Sequence, residues 1–495
     1  MDSLAELINS LNHTDLKDFK TFLKRKNKRN DAKNLALLKL IETDDIINEN
    51  IIYKNAKNKD AYHALRKRLN DNLILFLSNK TFENNNAEGN EALRLLIVSR
   101  YFFENDLIKI GFKSIQKAEK LAFRLEQYSL LNEIYLTRLQ YSHLNSTENL
   151  NELTLKFETN QNNIQNEAKL NVIYALLRKE FQEIQLKGKI TNLNELLTDT
   201  LRLFNHSFED ILTYKSLVQI LFIATEYASI KQNYHLIERF IKTAKQFIES
   251  KKESAEDHLF YHIQIIYYLA NYSFRSQHFD ESKRYLDEML SLMLKQNKAY
   301  FKLYNLRYQL LVSLHLHFTN NSSDALKTIE NALTSINKKS KQEDIDDLQA
   351  TYAMVLGQLM DKNSLKVLAK LTHTDAWYEK KMGMLWTIRK NMMEILTHAQ
   401  FENTDYALSR IKSFKRRYKI YLQNANEQIV LDYIAFVEKI VLNPEIIKQN
   451  DFKKKLDNFI YSEHKGDVFL KSFLGWILAM QQNSTPYEAT MRLIQ

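Results

Sequence analysis

His258 and His262 stand four residues apart, a spacing that puts both imidazoles on one face of a helix, as a zinc ion would require. The pair lacks the glutamate of a His-Glu-x-x-His site, and the sequence identifies no third ligand, so a solvated or groove-lining pair is favoured over a metal. His315 and His317 are two apart and point to different helix faces. Carboxylates cluster at Asp44-Asp45 and in Glu343-Asp-Ile-Asp-Asp347. Both clusters fall at or just before expected helix starts, where negative charge complements the macrodipole and caps free N–H groups, so capping is favoured over acid–base work. The seven glycines are isolated and form no Gly-x-Gly-x-x-Gly, Gly-x-x-x-x-Gly-Lys-Ser/Thr or Gly-x-Ser-x-Gly run. With no cysteine, thiol nucleophiles, thiolate metal clusters and disulfides are excluded. The expectation is a non-enzyme with no catalytic residue, no metal and no cofactor.

Positive charge is the stronger functional signal. Arg25, Lys26, Lys28 and Arg29 lie in one run, Arg66, Lys67 and Arg68 form a second, and Lys415, Arg416 and Arg417 form a third flanked by Phe414 and Tyr418. The chain carries a net charge of +10, and residues 1–80 hold sixteen Lys or Arg against eleven Asp or Glu. Such clusters neutralise nucleic-acid phosphates or meet acidic proteins. A charge run is more often a solvated face, and Phe414 and Tyr418, one helical turn apart, read as core contacts rather than base-stacking platforms.

The elements that must position these groups are helices. Seven Gly and two Pro in 495 residues are too few for the positive-φ turns of sheet folds, and helix interiors need neither. Asn, Asp and Ser clusters such as Asn320-Asn-Ser-Ser-Asp324 are the expected punctuation. Residues 1–83 read as a basic helical cap: Leu4, Leu7, Ile8 and Leu11 form one apolar stripe, Leu16, Phe19, Phe22 and Leu23 a second, and Leu35, Leu38 and Ile41 begin a third. From residue 90 to about 480 longer helices come in pairs, with residues 481–495 as a capping segment. The longest apolar stretches, around 217–224 and 263–270, fall short of the ~20 residues of a membrane span. The amino terminus has no basic segment followed by an apolar one, so a cytoplasmic location is expected.

The pair with the plainest pattern runs from Tyr268 to Leu290. Ile266, Leu269, Ala270 and Ser273 form the inner face of its first helix, and Phe279, Ser282, Leu286, Met289 and Met293 face them from the second. Small residues at Ala270 and Ser282 let the backbones approach. Weaker copies recur every 40 to 45 residues or so, the range of stacked helical pairs. Leu269, Ala270, Phe279, Ser282, Leu286 and Leu290 stand where the aliphatic, small and aromatic positions of a tetratricopeptide repeat fall, and Ala325, Leu326, Ile329 and Ala407, Leu408, Ile411 repeat the second half. The chain thus resembles the tetratricopeptide-repeat family, with a longer period and without the inter-repeat Pro or the first-helix Trp.

That resemblance implies an all-α fold: a right-handed α-solenoid of antiparallel helix pairs behind a small amino-terminal helical domain, with a groove for a peptide or partner protein. It also implies that Asn271 and Arg275 share the exposed face of a first helix, where an amide and a cation can hold a peptide backbone or carboxylate. Glu226 and Leu314 occupy the equivalent of Asn271 in neighbouring repeats, so no multi-repeat carboxylate clamp is expected. The leading expectation is a protein- or peptide-binding scaffold. The alternatives are a nucleic-acid- or ribosome-associated factor using the basic clusters, and a peptide-sensing regulator.

Overall fold

A computed structural model describes residues 3–9, 11, 13–26, 33–42, 59–84, 88–145, 148–187, 212–230, 233–336, 340–461 and 467–494. Lys28, Arg29, Asp44 and Asp45 lie outside them. The described residues are helical, with no strand among them.

The chain divides into two compact units, residues 1–160 and 161–495. The boundary expected at 83–90 falls inside the first unit, between two separate apolar clusters. One is built by helices α1 (Ser3–Asn9), α2 (His13–Lys26), α3 (Lys33–Glu42) and α4 (Lys59–Asn84). All eleven stripe residues read from the sequence are in it, from Leu4 and Phe19 to Ile41. The other is built by α5 (Glu88–Glu104), α6 (Ile108–Arg124), α7 (Tyr128–Tyr141) and the start of α8 (Leu150–Lys187), around Ile115, Ala118 and Ile134.

In the second unit, helices follow in pairs: α9 (Tyr214–Ile230) with α10 (Glu238–Ser250), α11 (Leu259–Arg275) with α12 (Phe279–Lys298), α13 (Phe301–Phe318) with α14 (Ser322–Thr334), and α15 (Gln342–Gln358) with α16 (Asn363–Leu368). After α17 (Asp375–Lys381) come α18 (Met384–Gln400) with α19 (Thr404–Asn424), then α20 (Gln428–Leu442), α21 (Asn450–Tyr461), and the last pair, α22 (Val468–Gln482) with α23 (Pro486–Ile494).

The α11–α12 pair packs as its residue types dictate. Ala270 and Ser282 are fully buried at the crossing, and the Ser282 hydroxyl donates to the Ala270 carbonyl at 3.0 Å. This bond satisfies a polar group that close packing would otherwise strand.

The turns are built differently from expectation. Gln277, Asn320, Met360 and Glu402 each hold a positive φ, between 62° and 67°, just after a first helix. The next residue's N–H closes a bond back over the helix end: His278 to Ser273, Asn321 to Leu316, Asp361 to Leu356 and Asn403 to His398, at 2.8 to 2.9 Å. This is the left-handed helix cap usually given to Gly. Only Asn320 belongs to an Asn/Ser cluster. The cap's hydrogen bonds and the packing of the following helix hold the turn, which is how so few glycines suffice.

Residues 481–495, expected as a capping segment, contain the second helix of the last pair. Gly475 on α22 makes that pair possible, since a Cβ there would meet the Thr490 hydroxyl at 2.2 Å and its backbone at 2.9 Å.

Candidate binding cavity

The first helices α9, α11, α13, α15 and α18 border one cavity of about 450 Å³. Glu226, Asn271, Leu314, Gly357 and Gln400, one from each helix and spaced 45, 43, 43 and 43 residues apart, all line it. One helical turn earlier on each helix, Phe222, Tyr267, Leu310, Ala353 and Leu396 line it too. The repeat period therefore selects the wall of a cavity as well as a packing core. Gln400 donates to the Gly357 carbonyl at 2.8 Å, joining two equivalent positions across neighbouring pairs.

The carboxy-terminal pair borders the cavity too. Phe469, Phe473 and Trp476 on α22 and Pro486 on α23 line it. Asp467, 3% exposed, caps α22 by accepting from the backbone N–H groups of Phe469 and Leu470, at 3.0 Å each. The same side chain accepts from Arg275 on α11, and its Oδ2 lies 3.3 Å from the Arg389 guanidinium of α18. The Arg275 guanidinium lies between two rings, 4.7 Å from the centre of Tyr234 and 4.5 Å from that of Phe469. Lys471 donates to Gln277 at 2.7 Å, and Tyr487 donates to the His317 carbonyl at 3.0 Å. The chain's own last helix pair thus forms part of the cavity wall.

Electrostatics divide the lining into paired and unpaired charge. Burial pushes the Asp467 carboxyl up, but Arg275 and Arg389 prevail and hold it below the usual carboxylate range. Arg307 donates to Asp344 at 2.9 Å. Glu226 forms no ion pair and no hydrogen bond among the described residues; burial, then the charge of Asp347, raises its carboxyl to about 7, against Arg275 and Arg389. Burial also raises Asp347, against the hydrogen bond it accepts from the Trp386 indole N–H at 2.7 Å.

Several expected site residues land elsewhere. Asn271 is half-buried on the cavity wall, but Arg275, expected on an exposed face, is only 8% exposed because Asp467 and two rings enclose it. Lys415 pairs with Glu438, and Arg417 donates to both oxygens of Glu379 at 2.6 and 2.8 Å; Arg416 and Arg417 are exposed, and Arg416 has no ion pair among the described residues. Phe414 and Tyr418 are buried, as read from the sequence. In the first unit, Arg25, Lys26, Lys67 and Arg68 are exposed and Arg66 is half-buried beside Tyr62. Lys80 pairs with Asp15 at 2.6 Å, and Lys26 donates to Asn72 at 2.8 Å, so α2 runs antiparallel to α4 and its basic end lies towards the segment carrying Arg66, Lys67 and Arg68.

His258 and His262 are neither solvated nor groove-lining: both are buried, with His258 stacked on Tyr214 at 4.4 Å. Among the described residues no three His, Cys, Asp or Glu side chains converge as metal ligands. The acidic run does open α15, with Glu343 and Asp344 in its first turn where negative charge suits the macrodipole, but no side chain caps the helix. Asp344 and Asp347 turn toward the cavity, and the buried Asp346 accepts from Gln342 at 2.8 Å. Sequence reasoning named Glu226 and Asp347 without giving them a place in a site, and did not single out Trp386 or Asp467. The signal for Glu226 was its register with Asn271. Among the described residues no helix is long and apolar enough to cross a membrane.

Comparison of the chain with protein-family models, with curated proteins and with solved structures finds no match. The geometry of the cavity carries the functional argument.

Proposed function

We propose that this chain is a non-enzymatic, cytoplasmic binding protein whose helix pairs stack as a right-handed tetratricopeptide-like superhelix, and whose second unit receives a short peptide or partner segment in the cavity bordered by its first helices. The observation that carries this reading is the lining itself: positions one repeat apart on five helices face a single space of about 450 Å³. That volume falls in the range of sites for small ligands and suits a few residues of a chain. The backbone of such a segment would find Asn271 and Gln400 as polar anchors amid aromatic walls. The last helix pair, seated against the cavity through Asp467, gives a peptide-sensing version of this function its moving part.

Ala350, on α15 and lining the cavity, is the place to test it. An Ala350→Trp variant should keep its helical circular dichroism and lose capture of peptides from a displayed random library. Capture equal to that of the wild type would refute the cavity as the site.

A second reading has its own support at the amino-terminal unit, where the antiparallel α2 and α4 bring Arg25 and Lys26 toward Arg66, Lys67 and Arg68. This edge suits nucleic acid or a ribosomal surface. Reversing Arg25, Lys26, Lys67 and Arg68 to Glu should remove a salt-dependent association with RNA, since each phosphate contact adds to the salt slope. RNA binding unchanged by the reversal would rule it out.

A further inference from the structure

We propose that the cavity is built for a positively charged group, the ammonium of a bound peptide, held between Glu226 on α9 and Asp347 on α15. The inference rests on the peptide-binding reading above and specifies its chemistry. Three guanidinium groups reach the cavity and all have carboxylate partners: Arg307 has Asp344, while Arg275 and Arg389 share Asp467. Glu226, Asp347 and Glu343 are the lining acids left over, against one lining cation, the exposed Lys381, that has no ion pair among the described residues; Glu226 and Asp347 are the two that interact with each other. Glu226 has no ion-pair or hydrogen-bond partner among the described residues, and the Asp347 carboxylate accepts only from an indole N–H.

Each of these carboxylates is half-buried in the cavity wall and has no cation of the chain paired with it among the described residues, so the fold keeps it partly desolvated at a cost in stability. A cation entering from outside removes that cost, which is the condition for tight binding. Further observations fit an ammonium in particular. Thr225, next to Glu226 in sequence and also lining the cavity, is 8% exposed, and its hydroxyl has no hydrogen-bond partner. Two carboxylates and a hydroxyl match the three N–H donors of an ammonium. The rings of Tyr267, Tyr268 and Trp386 border the same space and offer their negative faces to a cation. A carboxylate ligand would meet Glu226 and Asp347 as like charges, while the three lining guanidiniums are already engaged and the remaining lining cation, Lys381, is exposed.

The groups that face Glu226 electrostatically are Asp347 on α15, Arg275 on α11 and Arg389 on α18. Asp347 opposes its ionisation and the two arginines favour it. Binding of a cation should therefore strengthen as the pH rises through about 7, where Glu226 ionises.

The test uses the full chain and follows tryptophan fluorescence and calorimetric heat with four probes. They are a hexapeptide with one lysine, the same peptide with its amino terminus acetylated, a neutral acetylated hexapeptide of equal apolar content, and 1,4-diaminobutane. The lysine peptide should bind wild type, and Glu226→Gln and Asp347→Asn should each weaken it by about tenfold or more, as loss of a charge-assisted bond in a partly desolvated site does. The neutral peptide should bind all three proteins alike and more weakly. If acetylation alone removes binding, the amino-terminal ammonium is the group held; if it does not, the lysine is. Binding of the diamine in place of the peptides, lost in Glu226→Gln, would keep the cation site and overturn its peptide source. Lysine-peptide binding that survives Glu226→Gln and Asp347→Asn but disappears in Ala350→Trp would overturn the cation site and leave the cavity reading standing. Absence of binding by all four probes would overturn both.

Discussion

Asp467 and Glu226 are carboxylates beside the same cavity, Asp467 buried where the last helix pair begins and Glu226 half-buried in the lining that also carries Asp347, and their surroundings drive them in opposite directions. Asp467 sits between two guanidiniums and two backbone N–H groups, so it stays ionised and ties three helices together. Glu226 is half-buried without such partners among the described residues, and desolvation raises its carboxyl to about 7. Burial alone therefore does not separate structural charge from functional charge; pairing does. A paired buried acid holds the fold, whereas an unpaired one lining a cavity is poised for something the chain itself does not supply.

The largest effect should come from the paired side. Asp467→Ala leaves the buried Arg275 and the half-buried Arg389 without their shared partner and removes the α22 cap, so unfolding in urea should show a loss of about 3–5 kcal/mol at pH 7. Because the folded-state carboxyl is depressed, that contribution is present above the unfolded value of 3.8 and is lost as the pH falls through the lower folded value. A loss below about 1 kcal/mol at pH 7 would erase the contrast with Glu226. Next is His317, buried between Ser322 and Gln358 at 2.9 and 2.7 Å, where burial lowers the imidazole to about 4. A depressed imidazole stays neutral in the fold while the unfolded chain takes up a proton, so stability is lost as the pH falls from 6.5 toward 4. Relative to wild type, His317→Gln should gain about 3 kcal/mol over that interval in pH-resolved denaturation. A parallel pair of curves would show that this histidine titrates normally.

The smallest effect concerns the turns, where backbone geometry alone is at stake. Met360 is half exposed with φ 62°, a conformation that costs a side-chain-bearing residue about 1 kcal/mol more than Gly. Met360→Gly should raise the unfolding midpoint by the equivalent of about 0.5–1 kcal/mol. A drop instead would mean that the Met side chain holds the turn by packing.

Much of this fold was legible in the sequence. The alternation of Ala270, Ser282, Leu286 and Met289 is a local pattern, read correctly because helix packing within a pair depends on residues close in the chain. The amino-terminal stripes were legible for the same reason. The cavity was half visible: Glu226 and Leu314 were seen to align with Asn271, but their different chemistries counted against a site, whereas one wall can carry different groups toward one ligand. The remainder depends on contacts between distant segments. Asp467 meets Arg275 across 192 residues, and Trp386 reaches Asp347 across 39, so no local rule reveals that α22 lines the cavity or that the acidic run on α15 turns inward. The turns escaped as well, because a left-handed residue held by cap hydrogen bonds needs no signature side chain.

The most direct measurement of the central claim, that Glu226 is an unpaired carboxylate kept for a cationic ligand, is the stability difference between Glu226→Gln and wild type from pH 4 to 8.5, with and without the lysine hexapeptide. A carboxyl raised to about 7 in the fold binds its proton more tightly there than in the unfolded chain, so its destabilising effect grows as the pH rises from 4.5 and is complete above 7. Without peptide, the Gln variant should be the more stable protein at pH 8 by about 3 kcal/mol and should lose that advantage below pH 4.5. With saturating peptide the advantage at pH 8 should shrink or reverse, because the ligand binds more tightly to, and so stabilises more, the protein that keeps the carboxylate. A pH-independent difference, or one the peptide leaves untouched, would contradict the account.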